Sequence, residues 1–410
     1  MEQEMSARTR WLLVIAGGII MGAALGIRGV QGLYMIPITA DRGWSREAFG
    51  MALGLQNLVW GFAQPFTGMI ADRFGTAKVI FVGAILYALG LCCMAYSTTT
   101  VEFNLASGLL FGVGLSGTAF GAIYGALSRL VPNTHRSWAL GVAGALGGLG
   151  QFVMVPVAQK MLNNMDWVTS LVLFAGFMVL MSPLAAYLKD SSKPHAATGG
   201  QPNQSVSAAI REALGHRGFF LLNLGFIACG FQLAFIAGHL PAYLTDKGMG
   251  AEGAIALGLI NFFNIIGTYM FGHLGDLLRR KYLLSVLYAI RAAAMGLFVL
   301  LPLSHLTIYA FSIVMGMVWL GTVPLTTGLV SQVFGVRYIT TLFGVVFFGH
   351  QVGSFFGFWL AGYVFDMTKS YDLIWFIAVA LGVFSAIVHL PINDKQVIPA
   401  RQPVAGEAAA

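Results

Sequence analysis

The side chains able to do chemistry are few, and two of them stand in apolar company. Arg28 lies in the run LGIRGVQGLYM and Arg291 in LYAIRAAAMG, and no Asp or Glu falls inside a run of this kind. An ionised group at membrane depth costs at least about 2.5 kcal/mol, so each arginine is a functional candidate by default. A fixed guanidinium attracts a carboxylate and can hold it through two parallel hydrogen bonds. Gln31 and Met35 follow Arg28 at spacings of three and seven, on one helical face. The bland alternative for Arg28 is snorkelling to the nearer interface. For Arg291 the expected role is structural, its guanidinium packed on backbone carbonyls or a neighbouring helix.

Histidine is the side chain whose ordinary pKa lies closest to neutral, which makes His239 and His350 the candidate proton-coupling groups, against the plainer reading of hydrogen-bonded histidines. Polar residues share helical faces in the second half of the chain: Gln232 with His239, Asn261 with Asn264 and Thr268, Trp319 with Thr322 and Thr326, His350 with Ser354. The expected substrate-binding set is Arg28, Gln31, Tyr124, Gln232, Asn264, Trp319 and His350. Taken singly, each polar member could equally serve as interhelical glue at about 1 kcal/mol.

The elements that position these residues follow from composition. The chain has 410 residues, 57% hydrophobic and 10% charged, with mean hydropathy +0.78. An average soluble domain is about 45–50% apolar and about 25% charged. So few charges cannot cover a water-soluble fold of this length, which excludes an ordinary cytosolic enzyme, a disordered scaffold and a nucleic-acid binder. Cys92, Cys93 and Cys229 lie in apolar runs without metal or disulfide spacing, and the eight histidines show no ligand spacing. No nucleotide-binding loop of the G-x-x-x-x-G-K type occurs. The chain is expected to be no enzyme, with no catalytic residue, metal or cofactor.

A spanning helix needs about 20 apolar residues, because only a helix or a closed barrel satisfies its own backbone in hydrocarbon. Twelve runs qualify: 11–37, 46–71, 77–97, 103–130, 137–159, 166–188, 217–244, 252–275, 282–302, 306–333, 339–365 and 371–392. They predict an all-α membrane protein with Pro65, Pro156, Pro183 and Pro324 inside helices. With both termini on one side, that side holds sixteen of the 23 Lys and Arg and the other five. By the positive-inside rule both termini are cytoplasmic, in a multi-pass protein of the cell (inner) membrane. The basic balance thus reflects orientation in a lipid bilayer. Residues 1–10 form an N-tail, 11–188 a first six-helix bundle, 189–216 a flexible polar linker, 217–392 a second bundle, and 393–410 a disordered C-tail.

The two bundles carry a repeat. GMIADRFGTAK contains Gly68, Asp72 and Arg73, and GHLGDLLRRK contains Gly272, Asp276 and Arg280, with glycines and aspartates both 204 residues apart. The pair resembles the cytoplasmic loop motif of the major facilitator superfamily, and helix count, linker and orientation agree with it. The second copy departs at Leu277 and Arg279. The resemblance implies twelve helices in two pseudo-symmetric bundles, transport by alternating access, and a gating role for the six motif residues. Within the superfamily, the helix-5 stretch from Arg136 through Ala139, Gly141, Ala143 and Gly147 resembles monocarboxylate porters, and GVQGLYMIP resembles oxalate–formate exchangers. The arginine those carriers place on helix 8 is here Thr268. Gly108 stands where many drug–proton antiporters have an arginine, and helix 5 lacks their Gly-Pro pair.

The function these features imply is a secondary or facilitative carrier of a small organic anion, a monocarboxylate, working as a monomer with protons as candidate co-substrate. A proton-coupled exporter of drugs or other amphiphilic solutes is the alternative.

Overall fold

The computed structural model describes residues 6–132, 135–189, 206–335 and 339–396. The N-tail, most of the linker and the C-tail read from the sequence lie outside the described residues, as does the side chain of Asp72. No strand occurs among the described residues. Twelve long helices carry the chain: α1 (Ala7–Arg42), α2 (Arg46–Phe74), α3 (Thr76–Tyr96), α4 (Thr100–Leu130), α5 (Arg136–Asn164), α6 (Trp167–Leu188), α7 (Arg217–Asp246), α8 (Ala251–Leu277), α9 (Arg280–Leu300), α10 (His305–Phe334), α11 (Ile339–Thr368) and α12 (Asp372–His389). Eleven are long and apolar enough to cross a membrane on hydropathy alone. The exception is α2, 29 residues long, whose Gln56, Asn57 and Gln64 lower its hydropathy without shortening it. An even number of crossings puts the start of α1 and the end of α12 on one face, here called the terminal face; the opposite one is the far face.

Three spans are interrupted. α1 tightens into a 3-10 turn at Gln31–Tyr34, and α4 has a π-helical turn at Ala106–Phe111 followed by an extended residue, Ala119. α10 breaks after Met317 and restarts at Thr322, so Pro324 opens a helix where the sequence suggested a helix interior. Pro183 likewise begins a terminal 3-10 turn of α6, where its missing N–H leaves no bond unmade. The end of the polar linker also departs from expectation. Residues Val206–Gly215 form a helix whose Ile210 and Ala213 pack on the second half, because its apolar side chains recur at helical spacing.

Lipid tails are as apolar as leucine, so helices here associate through close packing and hydrogen bonds. The glycines serve that purpose. α1 and α5 cross at Gly22 and Gly150, where a Cβ on Gly150 would fall 2.3 Å from the Gly22 carbonyl oxygen, and Tyr87 of α3 donates to the Ala24 carbonyl at 2.6 Å. The helices form two halves, α1–α6 and α7–α12, and the apolar core of the first takes in Ala234, Ala242, Ala254, Leu257 and Phe358 of the second where the two meet.

Two long seams join the halves, α2 with α11 and α5 with α8. The first runs from Arg46 against Gly362, through Gly50 against Phe358 and Gly54 against Phe355, to Gly61 against Gln351. The second holds the Phe152 and Phe262 rings 5.5 Å apart and Gly148 against Ile265. Nearer the far face Gly32 of α1 meets α7 so closely that a Cβ would fall 2.1 Å from the Ala237 carbonyl oxygen. Toward the terminal face contact ends: Gly68, Gly141 and Gly344 have open space where a Cβ would stand. The halves are sealed at the far face and parted at the terminal face.

Candidate functional site

Arg28 sits where the halves begin to part. It closes the first segment of α1, at the negative end of that segment's dipole, just before the 3-10 turn. Its side chain points into the protein. Nη2 donates to Asn57 Oδ1 of α2, and the guanidinium lies 5.2 Å from the Trp60 ring centroid. Asn57 is in turn oriented by its amide nitrogen, which donates to the Leu53 carbonyl at 2.7 Å. The partner is therefore a neutral amide. Among the described residues no carboxylate comes within ion-pair distance of Arg28, and its Nε is buried without an acceptor. A cation so placed keeps its charge available for a ligand.

Trp60 extends this site across the seam. Its indole N–H donates to Gln64 at 2.8 Å, and its ring meets Phe347 of α11 edge-on at 5.2 Å. Phe347 lies parallel to His350 at 6.0 Å, and His350 packs on Phe226 of α7 at 4.9 Å. Arg28 and His350 are thus joined through two aromatic rings. His350 Nδ1 is within 3.3 Å of Gln351 Oε1, whose own amide nitrogen is buried without a partner. Gln31 is buried in the 3-10 turn with its amide nitrogen likewise unpaired. Tyr124 is half-buried, its hydroxyl against Gly144 of α5.

The other expected binding residues are occupied within the second half. Gln232 donates to the Ala378 carbonyl of α12 at 2.9 Å. Asn264 Oδ1 accepts the Leu320 N–H at 3.1 Å and the Thr268 hydroxyl at 3.0 Å, tying α8 to the break in α10. Trp319 lies in that break. Arg291, fully buried on α9, fills it: Nε and Nη2 donate to the Val318 carbonyl at 3.0 and 2.7 Å, Nη2 also reaches the Trp319 carbonyl, and Nη1 lies 3.0 Å from Cys229 Sγ. The backbone role expected for Arg291 is the one its contacts show.

At the far face a dense polar cluster crosses the seam. Arg46, the first residue of α2, makes a bidentate pair with Asp246 of α7, both N–O distances 2.6 Å. It also donates to the Tyr371 hydroxyl at 3.0 Å and lies 3.8 Å from the Phe365 ring centroid. Asp366 of α11 accepts the backbone N–H groups of Arg46 and Glu47, capping α2 from the opposite half at its positive end. Trp359 donates to Glu47 at 3.1 Å. His239 is buried behind the cluster, with Nδ1 3.0 Å from the Tyr371 hydroxyl and Nε2 2.8 Å from the Phe358 carbonyl.

The two motif loops lie at the terminal face. Gly68 has open space around it and exposed Arg73 stacks on Phe74. In the second copy Gly272 borders Pro324, Asp276 pairs with Arg280 at 3.2 Å, and Arg280 also reaches Gln332 of α10 at 3.0 Å. Arg279, the departure from the motif, clamps Asp394 after α12 with bonds of 3.1 and 2.6 Å. That cation holds the Asp394 carboxyl below the usual carboxylate range. The described contacts of the second copy stay inside its own half.

Asn57 and Trp60 complete the Arg28 site, and neither belongs to the set expected from sequence. The available signal was their three-residue spacing on the least apolar span. No sequence pattern marked Arg46, Asp246, Asp366 and Tyr371.

A family profile described as Major Facilitator Superfamily matches residues 14–358. An uncharacterized MFS-type transporter of Bacillus subtilis, YcxA, is 25% identical over 408 residues, covering 95% of this chain and 97% of that one. Monocarboxylate transporter 13 of Rattus norvegicus is 25% identical over 390 residues, 93% of this chain and 89% of the relative. Among solved structures, a bacterial homologue of the human lysosomal transporter Spinster, inward-facing and unoccupied, superposes with TM-score 0.74 at 13% identity, covering 94% of each chain.

Proposed function

The chain belongs to the major facilitator superfamily, a transporter and not an enzyme, and from that premise we propose that it carries a small organic monoanion, a monocarboxylate, by alternating access. One observation carries this reading: the Arg28 guanidinium, at the level where the halves part, is held by a neutral amide and lacks a counter-charge among the described residues. A carboxylate would supply the charge and an acceptor for the orphaned Nε, and a guanidinium suits that bidentate geometry. The other arginine at membrane depth has its donors committed to carbonyls, so Arg28 is the guanidinium left with a donor to offer a single carboxylate. Trp60 and Phe347 offer the organic remainder an apolar wall. The resemblance to a monocarboxylate transporter supports the same class.

With the terminal face taken as cytoplasmic, in accord with the excess of Lys and Arg on that side, the conformation is open inward, and the described contacts of the second motif loop stay within its own half. We read Gly68, Asp72, Arg73, Gly272, Asp276 and Arg280 as the gating motif that engages when that face closes. The carrier works in the cell membrane, as a monomer.

The test is a thermal-shift screen of the purified carrier against monocarboxylates, dicarboxylates and neutral amphiphiles. Ligands that bind only the folded state raise its apparent stability by about 2.7 kcal/mol at a hundredfold excess over Kd. Stabilisation by monocarboxylates that disappears in Arg28→Ala is the expected result. Stabilisation by amphiphiles alone, or an unchanged response in Arg28→Ala, would overturn the reading.

A further inference from the structure

The far-face cluster holds a titratable group that transport of an anion does not by itself require. His239 is fully buried, and its protonation state can be read from its partners. The Phe358 carbonyl can only accept, so His239 Nε2 carries the proton. The Tyr371 oxygen accepts from Arg46 and its O–H is left to donate to Nδ1. Every bond in this chain is satisfied by a neutral imidazole. A second proton on Nδ1 would take away the acceptor of the Tyr371 O–H, and it would add a charge behind Arg46 in a buried site.

The members of the cluster divide unequally between the halves. Arg46 and the capped end of α2 belong to the first. Asp246, Asp366, Tyr371 and His239 all belong to the second, with Tyr243 of α7 and Asp372 of α12 beside them. Glu47, on α2, is held by Trp359. Alternating access requires α2 to leave α11 at this face. When it does, two carboxylates lose both the guanidinium and the helix N-terminus that offset them, and the hydroxyl of Tyr371 loses its donor. The imidazole Nδ1 then lies on a surface with excess negative charge and an oxygen free to accept.

We propose that His239, with Tyr371, Asp246 and Asp366, is a proton-binding site that Arg46 occupies in electrostatic terms while the far face is sealed. Opening exchanges the arginine's charge for a proton taken from the far side. By linkage, a proton that binds only the open form favours that form, by up to about tenfold in population per pH unit. Proton loading and far-face opening become one event, which makes the carrier proton-coupled whatever its cargo.

The experiment needs no cargo. Spin labels at Asn163→Cys on α5 and Lys369→Cys after α11, both exposed at the far face, report the separation of the halves there. They are placed in a background with Cys92, Cys93 and Cys229 replaced by serine, and distances are measured by double electron–electron resonance from pH 8 to pH 5. A long-distance population growing as pH falls is expected, and a distribution that does not change with pH overturns the proposal. His239→Gln, whose amide can make both hydrogen bonds but takes no proton, should lose the response; retention of it would assign the proton elsewhere and overturn the proposal. Arg46→Gln supplies an independent arm. Removing the cation that excludes the proton should move the midpoint to higher pH, and an unmoved midpoint is equally fatal. Because no anion is present, failure here leaves the role of Arg28 untouched.

Discussion

Arg291 grips the carbonyl oxygen of Val318 from two nitrogens, at 3.0 and 2.7 Å, and so holds open the break in α10. A helix interrupted at membrane depth leaves carbonyls with no water to receive them, and a neighbouring side chain must supply the donors.

Arg291→Ala should therefore damage folding and leave ligand affinity intact. Loss of charged donors from buried carbonyls is worth about 3 kcal/mol. Yield and melting temperature should fall together, while the carboxylate-induced shift of whatever protein remains keeps its midpoint concentration. A weakened midpoint with normal yield would place Arg291 in the binding site.

Arg28→Lys should preserve folding but not affinity. A lysine retains the charge but not the bidentate fork or the flat face that lies over Trp60. A loss of at least about tenfold in monocarboxylate affinity, corresponding to about 1.4 kcal/mol, is expected by titration calorimetry. Equal affinity would show that charge alone is recognised.

Gly32→Ala addresses the seal. Its Cβ would fall 2.1 Å from the Ala237 carbonyl oxygen, a backbone atom of the other half that cannot step aside. The substitution penalises only the conformation in which α1 and α7 touch. Far-face cysteine labels should become more accessible than in the parent protein; unchanged accessibility would mean that the halves meet elsewhere with slack to spare.

The Arg279–Asp394 clamp has a defined pH window. Its folded carboxylate titrates below the usual range, so the stabilisation is full above the unfolded value near 3.9 and is lost as pH falls through the lower folded value. Between pH 5 and 8 the segment after α12 should resist proteolysis evenly. Release is expected only in acid, and Asp394→Ala should release it at pH 7.

Much of this architecture was legible in the chain. The spans at 46–71 and 217–244 correspond to α2 and α7 within a few residues at each end. Arg28 stood out because a guanidinium among apolar residues is costly wherever it faces. What could not be read was the use of each polar face. Gln232 and His239 share a stripe on α7, yet one ties α12 and the other sits behind the far-face cluster. Asn57 lies outside the polar faces singled out from the sequence, and only the packing of α2 on α1 brings its carbonyl to Arg28.

Hydrocarbon imposes a one-dimensional rule: each apolar run must satisfy its own backbone, so composition along the chain settled the helices, their number and the membrane as their solvent. Which residues meet across the seams is a property of how two finished bundles pack and rotate. Arg46 finds Asp246 and Tyr371 from 200 and 325 positions away, and Trp60 finds Phe347, through contacts that no local spacing encodes. Those pairings, and the seal they make at one face, were decided by tertiary structure alone.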